Sequence, residues 1–159
     1  MPRKKTKSLV RPIQPDRMYG SVQVQRLINR VMKDGKKQIA ERIVYDGMEK
    51  AAQKLKVDNP LEVFEQAFKN IQPHVETRSR RVGGANYQIP FEVKGQRQNH
   101  LTTMWLVQSC RARKGMSMVD RLAAELQDAY NGQGAAVKKR EDTQKMAEAN
   151  RAFAHFARN

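Results

Sequence analysis

Two segments with period-two alternation flank a glycine pair at Gly83-Gly84. In the first, Val75, Thr77 and Ser79 fall on one face of an extended strand, and Glu76, Arg78 and Arg80 on the other. In the second, Tyr87, Ile89, Phe91 and Val93 repeat the alternation. Alternation on both sides of a glycine turn specifies a β-hairpin, here over about residues 74–93. The other periodic segments follow the helical repeat. A single hairpin is marginal alone in water. Its base must therefore pack on a helical body while its tip reaches outward. The expected fold is mainly α, a six-helix, bundle-like body with one protruding β-hairpin arm. The arm carries Arg78, Arg80 and Arg81, then Val82, Gly83 and Gly84, as an arm that binds a polyanion would.

Charge sharpens that expectation. The chain has 159 residues, enough for one domain with its own core. Lys and Arg number 31 against 16 Asp and Glu, a formal net charge of +15. Such an excess repels itself unless a polyanion neutralises it. Nucleic acid is the first candidate and an anionic membrane surface the second. Mean hydropathy is −0.80, and the lack of a long apolar run argues against a transmembrane helix. The N-terminus has no hydrophobic signal core. Its basic start has the charge of an organelle transit peptide, but Pro2, Pro12 and Pro15 oppose the amphipathic helix that requires. Cys110 is the only cysteine, which leaves no intrachain disulfide and fits a reducing compartment.

Residues 1–18 read as a basic extension and 19–159 as one helical RNA-binding domain. Arg3, Lys4, Lys5, Lys7 and Arg11 make the extension either a solubilising tail or a nucleic-acid arm. Val24, Leu27, Ile28 and Val31 then follow i, i+3, i+4, i+7 spacing, with Arg26, Arg30 and Lys33 together on the opposite face. That stripe leads into Gly35, read as the end of the helix, and on to Lys36 and Lys37. A second helix runs from about Lys37 to Leu55; Gly47 inside it implies close packing against a neighbour. Asn59-Pro60 opens a third helix. Glu62 and Glu65 on that helix, with Asp120, Glu125 and Asp128 on the fifth, mark acidic faces turned away from RNA. The helix from about Gln96 to Arg113 begins beside Arg97 and ends in Arg111, Arg113 and Lys114. Those cations serve the helix dipole, phosphates, or both. Trp105 is expected in the core. Ser117 caps the fifth helix. A last, polar helix spans about 135–157, opens with Lys138, Lys139 and Arg140, and has only Met146, Ala149, Phe153 and Phe156 to hold it.

Catalytic chemistry has no visible seat. His74, His100 and His155 match no metal-ligand spacing. A glycine pair is no phosphate-cradling loop, and no nucleophilic triad can be assembled. No enzyme activity, cofactor, metal or small-molecule substrate is expected. From the residues alone, the chain is a helical nucleic-acid binder with a basic arm.

Three ordered blocks narrow this further. Ser21 through Val44, with Leu27-Ile28, Gly35-Lys36-Lys37 and Ile43-Val44, resembles the signature of small-subunit ribosomal protein seven. Ser79-Arg80-Arg81-Val82-Gly83-Gly84 with Tyr87-Gln88-Ile89-Pro90 is similar to that family's hairpin. Residues 136–142 and 146–155 resemble its bacterial-type C-terminus. The likeness runs from about Arg11 onward. Gln23 and Gly47 depart from the family pattern in ways that concern only local helix packing. The resemblance implies a primary binder of 16S-type rRNA that nucleates assembly of the small-subunit head. It implies a place at the subunit interface near the decoding region, with the hairpin at the tRNA exit site. It also implies small-subunit ribosomal proteins nine and eleven as partners, and residence in a cytoplasmic or organellar ribosome. Lys138, Lys139 and Arg140 would face the messenger path. The competing reading is an architectural DNA-binding protein, whose arm would need an apolar wedge; Val82 is the one residue suited to that.

Deleting residues 80–85 is expected to leave the body folded, because the tip stands away from it. Near-ultraviolet circular dichroism of the deletion variant checks this, and a molten or insoluble product would make the tip structural.

Overall fold

A computed structural model describes residues 12–158. Asp16 is buried, within the stretch expected to be an irregular basic extension. Its buried carboxylate accepts hydrogen bonds from the backbone N–H groups of Met18, Tyr19 and Ser21 at 3.0, 2.8 and 2.7 Å, and from the Tyr45 hydroxyl at 3.2 Å. One buried acid thus pins the approach to the first helix onto the second.

The elements run α1 (Val22–Val31), α2 (Lys37–Leu55), α3 (Pro60–Ile71), β1 (Val75–Val82), β2 (Ala85–Glu92), α4 (Gly95–Ala112), α5 (Met118–Tyr130), α6 (Ala135–Ala149) and a 3-10 turn (Arg151–Arg158). The expected mainly helical body with one hairpin is therefore present. Local signals placed several boundaries well. Asn59 caps α3 by accepting from Leu61 N–H at 3.0 Å. The Ser117 hydroxyl accepts from Asp120 N–H at 3.2 Å and donates to its carboxylate at 2.6 Å. Helix α1, however, ends at Val31, before Gly35. Asp34 and Gly35 both adopt positive φ, and Lys36 N–H bonds the Lys33 carbonyl at 3.0 Å. These residues make a separate tight turn, which Asp and Gly tolerate.

The core lies where α1, α2, α3, α4 and α5 meet. Leu27, Ile28, Met48, Phe64, Ile71, Leu106, Leu122 and Leu126 are fully buried, and Trp105 joins them as expected. Helix α5 is central and packs on α2, α3, α4 and α6. Gly47 permits its approach to α2: a Cβ there would lie 2.9 Å from Leu122 Cδ2.

Two expectations fail at the C-terminal end. The last helix stops at Ala149 and continues as a 3-10 turn instead of an α-helix to 157. Its anchoring face also differs. Met146 and Ala149 are exposed, whereas Ala136, Val137, Thr143 and Ala147 are buried. Small side chains let α6 lie close, so its thin apolar content understates its docking. It runs against the hairpin, near which Ile89 and Ala147 are buried outside the main core.

The hairpin is antiparallel, with register from Val75↔Glu92 to Val82↔Ala85. Gly83 and Gly84 both take positive φ, the requirement of the two-residue turn whose twist suits a hairpin. Directly paired residues share a face. Glu76, Arg78 and Arg80 therefore lie beside Phe91, Ile89 and Tyr87. The charged row of one strand adjoins the apolar row of the other, and the Arg78 guanidinium lies 5.3 Å from the Phe91 ring centre.

The α2–α5 contact yields a size test. Gly47→Leu is expected to cost about 1–3 kcal/mol through overpacking against Leu122. Gly47→Ala is expected to be near neutral, since a helix gain of about 1 kcal/mol offsets the shift of one flexible side chain. Urea unfolding of both variants checks the contrast.

Candidate nucleic-acid interface

Two clefts line the edge of the body formed by α1 and α4. The first lies in the crease between those helices and is lined by Ile13, Arg26, Asn29, Arg30, Gln96, Asn99, His100 and Thr103. Its volume is about 320 Å³. Arg26 and Arg30 are half-buried here, in the wall of a crease instead of on an open face. Arg26 Nε is buried without a hydrogen-bond partner. Arg30 approaches His100 Nε2 at 3.2 Å. Burial, then the charges of Arg30 and Arg97, hold the His100 pKa below its ordinary value. The ring is therefore neutral near pH 7, and Nε2 can accept from the guanidinium.

The second cleft starts at the Lys33–Lys36 turn. Lys33, Lys36, Arg111 and Arg121 line it together with Val31, Met32, Ile39, Ala40, Ile43 and Met118, in a volume of about 310 Å³. Arg111 reaches back to the Arg30 carbonyl at 3.3 Å, which ties the two clefts together. Neither lining contains a carboxylate. Of the three cations expected on one helical face, Arg26 and Arg30 belong to the first cleft and Lys33 to the second.

At the arm, cations divide by depth. Glu76 is buried at the base and holds two of them. Arg97 donates to one carboxylate oxygen through Nε at 3.1 Å and a terminal nitrogen at 2.9 Å, and Arg78 pairs with the other oxygen. Farther out, Arg80 donates to the Phe156 carbonyl at 3.1 Å. Tyr87 packs against Phe153 and Phe156, with ring centres 5.0 and 5.7 Å away. The 3-10 turn thus lies along one side of the arm. Arg81, Gly83 and Gly84 are exposed and Val82 half-buried.

The remaining cations vary in how they are engaged. Lys114, Lys138 and Lys139 are exposed. Lys37 pairs loosely with Glu41 at 3.7 Å. Arg140 donates to the Asn70 carbonyl and lies 3.3 Å from Glu141. Arg113 turns inward. It donates to the fully buried Glu125 at 2.9 and 2.6 Å and pairs with Asp128. Burial opposes its charge, but the bonds to Asp128 and Glu125 prevail and raise its pKa. This overturns the reading of α5 as an acidic outer face. Glu125 and Asp128 bind Arg113, and Asp120 pairs with Lys50 at 2.9 Å. Arg3, Lys4, Lys5, Lys7 and Arg11 lie outside the described residues. No metal-binding group of His, Cys, Asp and Glu occurs among the described residues. No described helix is long and apolar enough to cross a membrane. Burial pushes the Cys110 thiol up to about 12, so it stays protonated.

Comparison with known proteins gives this basic edge a context. The sequence matches ribosomal protein S7p/S5e over residues 2–151. The chain belongs to that family. It is 57% identical over 148 residues to the small ribosomal subunit protein uS7 of Chloroflexus aggregans, covering 93% of this chain and 94% of the relative. The protein of the same name from Moorella thermoacetica is 57% identical over 146 residues, covering 92% and 93%. That from Thermotoga neapolitana is 54% identical over 146 residues, covering 92% and 94%. Ribosomal S7p/S5e is a structural family and not a class of enzymes.

In this S7p/S5e chain, sequence reasoning missed His100 and Arg121 as cleft residues. Arg121 stands on α5, far in sequence from the other cations of its cleft, and no local spacing connects it to them. Asn29, Gln96 and Asn99 carried no charge signal at all.

Glu76 offers a pH test. Burial alone would raise its pKa, but the bonds from Arg97 and Arg78 outweigh that and hold it below the ordinary value. Its contribution to stability is then fully present above the unfolded-state value of about 4.3 and is lost as pH falls through the folded value. Glu76→Gln is expected to lower stability by about 2 kcal/mol at pH 7, and the gap from the parent should close below about pH 4. Urea unfolding across that range checks it.

Proposed function

We propose that this chain is a structural protein of the small ribosomal subunit that binds 16S-type rRNA directly. The carrying observation is the pair of adjoining, carboxylate-free clefts that gather Arg26, Arg30, Lys33, Lys36, Arg111 and Arg121 along one edge. Cations mounted on rigid helices contact phosphates at fixed spacing. The specificity of such a surface comes from matching the folded shape of the RNA. Lys37, Arg97, Lys114, the basic N-terminal residues and Arg78 would extend the contact. Engaging several RNA helices at once draws them into one arrangement, and this is how the protein would act as a primary binder that nucleates the subunit head.

The arm has a separate role in this reading. Arg80, Arg81, Val82, Gly83 and Gly84 project from the rRNA anchor toward the exit-site tRNA at the subunit interface, near the decoding region. Lys138, Lys139 and Arg140 lie toward the messenger path. Small-subunit ribosomal proteins nine and eleven are the expected protein neighbours, in a cytoplasmic or organellar ribosome. Residues 19–159 act as one RNA-binding domain, preceded by a basic extension.

Filter binding to a head-domain rRNA fragment and to random duplex of equal length tests the proposal. Preference for the fragment at physiological salt is expected, and equal affinity would overturn it. Counterion release makes affinity fall with salt. The triple variant Lys33→Ala, Lys36→Ala, Arg111→Ala should flatten the log–log salt slope by about 2–3.

A further inference from the structure

The second cleft combines two surfaces that phosphate contact alone does not require. Its rim holds four cations from three places in the chain: Lys33 and Lys36 on the turn, Arg111 at the end of α4, and Arg121 on α5. Its floor is apolar, built from Met32, Ile39, Ile43 and Met118 among others. Ile39 is 57% exposed, a large aliphatic side chain left in water beside a cationic rim. Arg121 Nε is buried there without a hydrogen-bond partner.

A phosphate backbone resting on such a cleft would satisfy the rim and leave the floor wet. A nucleotide turned out of its stack presents both chemistries, with an apolar base face flanked by phosphates on either side. The volume of about 310 Å³ lies at the small end of ligand clefts. It suits one base with its sugar, not a duplex. Sequence-specific RNA recognition generally uses such unstacked bases. We propose that this cleft takes one unstacked nucleotide of the bound RNA, with the base on the Ile39 floor and the adjoining phosphates on Lys33, Lys36, Arg111 and Arg121. The proposal rests on the RNA-binding reading above and adds to it a site that reads a base.

The test uses the full chain and fluorescence anisotropy with two labelled probes, a uridine octamer and an abasic octamer with the same number of phosphates. The uridine octamer should bind severalfold tighter, because a base buries apolar surface on the aliphatic floor that an abasic sugar cannot. Ile39→Ser should lower affinity for it severalfold and leave the abasic affinity unchanged, while Ile39→Leu restores the parent behaviour. Arg121→Gln should weaken both probes. Thermal melts of the variants exclude loss of fold, which is not expected at so exposed a position. With 4-thiouridine in the octamer, photocrosslinks should map to residues 31–43 or 116–121. An unchanged base preference in Ile39→Ser, or a preference lost only in Tyr87→Ala, would overturn the proposal. So would displacement of the octamer with equal affinity by a phosphate-free peptide of alternating Glu and Leu, which would assign the cleft to a protein partner. The two readings fail separately. An Ile39-dependent base preference without preference for the head fragment would sink the rRNA assignment alone. The reverse result would sink only the nucleotide cleft.

Discussion

The buried carboxylate of Glu125 is the constraint on which the arrangement of the second half of the chain depends. It is fully enclosed on α5, the helix that touches α2, α3, α4 and α6. One oxygen takes two hydrogen bonds from Arg113, the residue that closes α4. The other accepts the Ala136 backbone N–H at 2.9 Å, in the first turn of α6. A single buried side chain thus ties the end of one helix to the start of another. An unpaired charge at that depth would be strongly destabilising, so the three partners are held together or not at all. Gly134 belongs to the same arrangement: a Cβ there would lie 3.2 Å from the Glu125 oxygen, and its φ of 94° favours glycine in any case.

Once the body is fixed in this way, the cations sort into two kinds. Arg113 neutralises an internal acid, and Arg97 and Arg78 do the same for Glu76 at the base of the arm. Lys33, Lys36, Arg111 and Arg121 have no carboxylate in their cleft. The internal pairs set where the free charges stand. A net charge of +15 is therefore not spread evenly over a sphere. Among the described residues, cations gather in the two clefts along the edge where α1 meets α4, whereas α3 exposes Glu62 and Glu65.

Features specified by neighbours in sequence were legible without coordinates. The 3.6-residue repeat located α1 and its buried face. Asn59-Pro60 and Ser117 located two helix starts, the glycine pair located the hairpin turn, and Gly47 signalled a closely packed neighbour, though not that it is α5. Features specified across the fold were not legible. Arg113 and Glu125 are twelve residues apart, and Arg140 and Asn70 seventy, so no local pattern reports that they pair. An acidic residue on a helix reads the same whether it faces water or a buried guanidinium. This is why Glu125 was expected outside. The final helix misled for a related reason: docking through Ala and Thr leaves almost no hydrophobic signal. The candidate site was half legible, because charge marked Lys33, Lys36 and Arg111, while the grouping into clefts depends on the α1–α4 crossing and on Arg121 arriving from α5.

The hairpin has only two strands, so each has one edge without a partner strand. Such edges are templates for pairing with another copy of the same chain, the first step toward ordered aggregates. Here β1 is lined with Arg78, Arg80 and Arg81, and Pro90 removes one donor from β2. Two copies brought edge to edge would set arginine against arginine. The charge that suits the arm to a polyanion therefore also opposes edge-to-edge pairing between two copies of the chain.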